Sequence, residues 1–99
     1  MAILWVCQYD ITNPELFAKY NPGSLESIMK VVDEVGGVVV AAGEPTQIAG
    51  EARHAGVAIQ FPNAAALDTW LNHPDYAEAK AIREAATTNY AMFMLDAMG

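Results

Sequence analysis

Four β-prone segments of this chain are apolar on both of their faces, and this limits what it can fold into more than any other feature. Ile3, Trp5, Cys7 and Tyr9 alternate with Leu4, Val6 and Gln8 in the first segment. Val38 and Val40 alternate with Val39 and Ala41 in the second. Val57, Ile59 and Phe61 alternate with Gly56, Ala58 and Gln60 in the third, and Tyr90, Met92 and Met94 with Ala91, Phe93 and Leu95 in the fourth. An antiparallel sheet with one wet face alternates apolar with polar side chains instead. Both faces of this sheet therefore need a cover. Helices supply one, and the chain has nothing left for the other. The expected cover is the sheet of a second copy, giving a two-fold homodimer. Left bare on a monomer, such a patch is an aggregation liability.

The segments between the strands carry helix punctuation. After a strand over residues 3–9, Asn13 caps a helix and Pro14 takes its first position, with Leu16, Phe17 and Tyr20 following. Asn21-Pro22-Gly23 interrupts that helix, since proline removes an amide donor. Ser24 restarts it as a cap. Leu25, Ile28, Met29, Val32 and Val35 then recur at helical spacing, with Glu26, Lys30, Asp33 and Glu34 outside, until Gly36-Gly37 ends the run. The second strand covers 38–42. Gly43 to Ala55 is a polar connection, longer than a hairpin needs, of the kind that is often functional or loosely ordered. The third strand covers 56–61. A helix with Leu67, Trp70 and Leu71 follows, His73-Pro74 breaks it, and Pro74 starts another with Tyr76, Ile82 and Arg83. The fourth strand covers 89–96. The order is β-α-β-β-α-β with the second helix split: a ferredoxin-like α+β protomer with a four-stranded antiparallel sheet, in one domain over 1–99.

Composition agrees with an oligomer. The 99 residues are 54% hydrophobic, against a usual ~45–50%. A domain this small buries only about 60% of its unfolded surface. Five basic against twelve acidic residues give a net charge of −7, which argues against nucleic acid and anionic membranes, both of which need a basic patch. The opening MAILWVCQYD has no basic n-region and its apolar run ends by Asp10, too short for a signal peptide or a membrane span. The expectation is a soluble, acidic, cytoplasmic protein. Cys7 is the single cysteine and lies in an apolar strand, so it reads as a buried inert thiol. His54 and His73 are the only histidines and their spacing fits no zinc motif. Glycine-rich phosphate loops and a nucleophile elbow are absent. The reading calls for no metal and no cofactor.

The pattern of Asp10, Pro14, Tyr20, Gly36-Gly37 and Gly43, followed by Phe61-Pro62, Ala65, Trp70, His73-Pro74, Asp75, Tyr76, Arg83 and Ala86, resembles a bacterial family of small dimeric α+β-barrel proteins known only as a domain of unknown function. The stretch from Phe61 to Arg83 is the most specific part. The resemblance implies a ferredoxin-like protomer and a homodimeric barrel. It implies no settled reaction, because the wider superfamily holds cofactor-free monooxygenases of antibiotic biosynthesis, haem-degrading enzymes, polyketide cyclases and small isomerases. The family pattern usually has an acid where this chain has Gln60, and often an arginine near the start of the third strand, where this chain reads Arg53-His54-Ala55.

Candidate site residues follow from side-chain chemistry. His54, Gln60 and Gln8 share one strand parity, with small Gly56 and Ala58 between, a pattern that fits either a cavity under the helices or close helix-on-sheet packing. His54 is either a solvated loop histidine or a general base. Tyr76 and Arg83, seven apart, lie on one helical stripe, where Arg83 reaches a carboxylate such as Asp10 or Glu51, grips an anionic substrate group, or packs its stem as a structural residue. Trp70 reads as a core anchor and, with Tyr9, as a possible ligand contact. These choices set His54 and Arg83 as catalytic candidates and Gln8, Tyr9, Gln60, Trp70 and Tyr76 as ligand-binding candidates. Three functions compete: a cofactor-free enzyme or binder of an aromatic or polyketide-like compound, a non-catalytic dimerisation module, and a haem-binding or haem-degrading protein with His54 as donor.

Overall fold

The computed structural model describes residues 1–98. The chain runs β1 (Ile3–Ile11), α1 (Pro14–Tyr20), α2 (Leu25–Glu34), β2 (Val38–Gly43), β3 (Ala55–Phe61), α3 (Ala64–Leu71), α4 (Pro74–Ala86) and β4 (Thr87–Asp96). The four strands make one antiparallel sheet in the order β2-β3-β1-β4. This is the expected ferredoxin-like α+β fold, with both helical segments split. All four helices lie on one side, so the protomer is a slab of 35 × 35 × 17 Å.

Local chemistry sets the helix ends. Asn13 accepts the Leu16 amide at 3.1 Å, Asn63 the Ala66 amide at 2.8 Å, and His73 Nδ1 the Asp75 amide at 3.1 Å. Each satisfies an amide that the first turn leaves without a partner. Ser24 does not cap α2 as expected: its hydroxyl donates to the Lys19 carbonyl at 2.7 Å and ties the two half-helices together. A Cβ on Gly23 would lie 2.5 Å from that same carbonyl oxygen, so the α1–α2 joint needs glycine. Gly36 closes α2 at φ +80, a left-handed conformation that favours glycine.

The helix-side face of the sheet is the core. Ile3, Trp5, Cys7, Tyr9, Ile59 and Phe61 are buried there against Ile28, Val31, Val32, Leu67, Trp70 and Tyr76. Trp70 stacks on Tyr76 at 4.5 Å between ring centroids and meets Trp5 edge-on at 4.9 Å, so the tryptophan is the anchor that the sequence suggests. Burial pushes the Cys7 thiol above its usual range, which keeps it protonated, as expected of an inert cysteine.

Among the described residues the opposite face carries no helix. Leu4, Val6, Ala58, Phe93 and Leu95 lie on it, with Phe93 46% and Leu95 55% exposed. Two bulges alter the simple alternation. β2 shifts register between Val39 and Ala41, so Ala42 pairs with Val57 and Ala41 with Ala58. Ala41 therefore joins Val38 on the open face, not Val39 as expected from parity. β4 carries an extra residue opposite the Gln8–Asp10 step, and Asn89 takes it up at φ 53; asparagine tolerates that region better than most residues.

Candidate functional site

A cavity of about 380 Å³ opens between the sheet and the α1–α2 side of the helical layer. Trp5, Tyr9, Phe17, Tyr20 and Trp70 form its aromatic wall, Ile28, Met29 and Val39 add aliphatic surface, and Asn21, Glu44 and His54 supply polar groups. The aromatic side chains order one another: Tyr9 and Phe17 are 5.7 Å apart between centroids, and Phe17 and Tyr20 5.5 Å. The volume lies in the range of small-molecule pockets, which are mostly apolar with a few fixed polar groups.

The rim is held by a polar network around Asp10. Its Oδ2 accepts from Arg53 Nη1 at 2.9 Å and from Asn89 Nδ2 at 3.1 Å, and its Oδ1 from the His54 amide at 3.1 Å. The Asn89 bond does most to hold the Asp10 carboxyl below its ordinary range; desolvation, next in size, opposes it, and the bonds from Arg53 and the His54 amide add to the lowering. This fastens the end of the 43–55 connection to β1 and β4. The Ile11 amide donates to His54 Nδ1 at 2.9 Å. The neutral ring therefore carries its proton on Nε2, which lies 3.9 Å from Asp10 Oδ1. His54 sits at the cavity mouth with its basic nitrogen already engaged, so the ring presents a donor and not a general base.

Behind the tyrosine wall lies a buried cation. Arg83 is 2% exposed. Its Nη1 donates to Tyr76 Oη at 3.2 Å, and its Nη2 has no partner. Of the three alternatives for Arg83, the contact with Asp10 or Glu51 is not formed; Arg53 pairs with both, Asp10 at 2.9 Å and Glu51 at 3.8 Å. The Tyr20 hydroxyl lies beside both Tyr76 and Arg83. Burial pushes Tyr9, Tyr20 and Tyr76 above the usual phenol range, so all three hydroxyls remain protonated.

The structure thus brings Tyr9, Trp70 and His54 to one cavity and places Tyr76 and Arg83 immediately behind it. It separates Gln8 and Gln60 from them. Gln8 pairs with Gly56 and Gln60 with Leu4, and both glutamines lie exposed on the open face, away from the helices. Parity linked His54 to Gln60, but His54 precedes β3, where the chain bends over the rim and no longer follows the strand. Trp5 and Phe17, absent from the predicted site, belong to the wall; the alternation of β1 puts Trp5 on the same face as Tyr9 and was the available signal. For the haem alternative, Nδ1 of His54 is taken by the Ile11 amide, and Nε2, 3.9 Å from Asp10 Oδ1, carries the proton of the neutral ring and would have to lose it to ligate. Among the described residues no group of three or more metal-ligating side chains occurs, and no helix is long and apolar enough to cross a membrane.

Solved structures share the fold. A protein of unknown function from Rhodopseudomonas palustris, RPA0582, aligns over 99% of this chain and 83% of its own, with a TM-score of 0.78 at 21% identity. A dimeric ferredoxin-like protein of unknown function from Jannaschia sp. CCS1 aligns over 98% and 100%, with a TM-score of 0.77 at 13% identity. SnoaB, a cofactor-independent oxygenase from Streptomyces nogalater, aligns over 99% and 94%, with a TM-score of 0.65 at 13% identity. At these identities the likeness concerns the fold alone. No curated protein matches the sequence. One family model matches residues 2–98, nearly the whole chain, and by that match the protein belongs to the DUF1330 family, a domain of unknown function.

Proposed function

We propose that the cavity receives a small aromatic or polyketide-like molecule, which the protein binds or transforms without a cofactor, and that two copies of the chain associate across the helix-free sheet face. The observation that carries the first half is the cavity of about 380 Å³ with five aromatic walls and a few polar groups at its edge. A flat aromatic guest would lie against the wall formed by Trp5, Tyr9, Phe17 and Trp70 and leave its polar substituents to Tyr20, Asn21 and His54. That SnoaB is a cofactor-independent oxygenase is consistent with this reading. The open apolar face supports the second half, as do solved relatives that are dimeric.

The test is a titration with 2-hydroxy-1,4-naphthoquinone, followed by tryptophan fluorescence and thermal shift. Trp5 and Trp70 both line the cavity, so occupancy quenches them in a saturable way and raises the melting temperature by mass action. Ala42 lines the cavity from the edge strand β2 and is exposed; Ala42→Phe fills the space and removes both effects. Quenching that does not saturate, and is the same in wild type and Ala42→Phe, refutes the reading.

The open face also favours a second reading, in which association is the whole purpose. Under it His54→Ala and Arg83→Ala leave function intact, whereas a charge at Val6 or Val40 abolishes it. Loss of function from the histidine change alone eliminates this alternative. Haem binding, which the donor geometry does not favour, is tested by adding haemin; without a Soret shift it falls.

A further inference from the structure

Arg83 poses a problem that the fold does not solve by itself. A guanidinium carries five N–H donors and a charge that cannot be shed. At 2% exposure this one makes a single side-chain hydrogen bond, to Tyr76 Oη, and leaves Nη2 unpartnered. At 3.2 Å the bond is longer than the ~2.7–2.9 Å usual between a guanidinium and an anion. No carboxylate among the described residues pairs with it. Removing such a charge from water is costly unless an anion compensates it.

Two tyrosines stand between this cation and the cavity. Tyr9 and Tyr20 line the cavity, and Tyr20 adjoins both Tyr76 and Arg83. Tyr76 Oη accepts from Arg83, so its own proton is free to go to Tyr20 Oη. The Tyr20 proton is then left for the cavity. The pair of hydroxyls extends the donor character of the guanidinium to the cavity wall. A neutral guest uses only the hydrogen bond; an anionic guest also offsets the buried charge.

We infer that Tyr20, backed by Tyr76 and Arg83, is an anion-recognising wall, and that the ligand is an aromatic compound whose hydroxyl is bound there as the phenolate. This rests on the cavity reading given above. The other charges near the site oppose it: Glu44 lies at the mouth, and the chain carries −7 overall. Screening weakens the chain's distant charges beyond ~8 Å at physiological salt, but not that of Glu44 at the mouth, so the preference has to arise from Arg83 at short range and outweigh it. Cys7 and Tyr9, which also face the guanidinium, are held protonated by burial and add no negative charge.

The probe is 4-nitrophenol, whose ionised form is yellow and whose ionisation falls near neutral pH. Tryptophan quenching reads occupancy, and visible absorbance reads the ionised fraction of the bound probe. The released proton goes to buffer. The expected result is about a tenfold preference for the phenolate, seen as a bound probe that ionises one pH unit below the free one. Arg83→Met and Tyr20→Phe each lose this preference, and Arg83→Lys, which keeps the charge but not the fork, restores part of it. Occupancy with no gain in ionised probe overturns the inference and leaves the cavity reading standing. Unchanged preference in Arg83→Met overturns the assignment to Arg83. Failure of 4-nitrophenol to occupy the cavity overturns both.

Discussion

Replacing Arg83 by methionine should leave the protein as stable as the wild type or more so. The two opposing effects can be sized from the geometry. The change removes an orphan nitrogen, Nη2, buried with no partner; such a group costs about 1–3 kcal/mol. It also removes the bond from Nη1 to Tyr76, and a hydrogen bond to a charged group is worth about 1.5–3 kcal/mol. These nearly cancel. The orphan is only part of the desolvation of an uncompensated guanidinium, an effective penalty of several kcal/mol in all, and the substitution relieves the rest as well. Methionine keeps an unbranched stem in the same space and fills gaps well. The net expectation runs from zero to about 3 kcal/mol of added stability. For a domain of this size about 1 kcal/mol moves the melting temperature by ~4–8 °C. Calorimetry or circular dichroism at matched protein concentration is the assay, since association makes the midpoint depend on concentration. A fall of more than ~10 °C, the signature of breaking a compensated buried charge worth ~3–5 kcal/mol, would falsify the view that Arg83 lacks an anion in the free protein.

Three further outcomes follow from the same geometry. The lowered Asp10 ionisation stabilises the fold at pH values above the ordinary aspartate range and is lost as pH falls through the still lower folded value, so the stability gap between wild type and Asp10→Asn should be constant near neutrality and close in acid; a gap that persists unchanged under strongly acidic conditions contradicts the network. Val6, opposite Ala58 and Phe93 on the open face, becomes Asp at little cost to a monomer, but in a two-fold interface the change buries two like charges and weakens association by a factor of ~10³ or more; equal association of Val6→Asp and wild type in sedimentation runs is the contrary result. Cys7, fully buried, should resist alkylation by iodoacetamide in the native state and react on unfolding; fast native labelling would show the thiol reachable.

The architecture was legible because its signals are local and redundant. Asn13 sits just before a helical run and caps it, as expected; Asn63 and His73 do the same for α3 and α4. Asn21-Pro22-Gly23 and His73-Pro74 mark real breaks. The bifacial grease of the strands placed Trp5, Cys7 and Tyr9 on one side and Leu4 and Val6 on the other, as found. Parity failed where the pleat is broken. The β2 bulge turned Ala41 to the open face, and the bend before β3 parted His54 from Gln60. The polar partners were hidden for another reason. Ser24 bonds a carbonyl five residues back, Asp10 pairs with Arg53 across the sheet, and Arg83 meets a phenol in place of a carboxylate. Those pairings depend on distances between elements, which composition and spacing do not encode. The cavity belongs to the same class: Phe17 and Tyr20 line it because α1 stops short at Asn21, and only the assembled layers show the gap.

The claim beneath all of this is that a sheet apolar on both sides has to be covered twice. Its most direct measurement is the mass of the wild-type protein in solution by sedimentation equilibrium across a dilution series. A particle of twice 10.6 kDa that persists on dilution is the predicted result. A stable, soluble species at the mass of one chain, with Phe93 and Leu95 open to water, contradicts it.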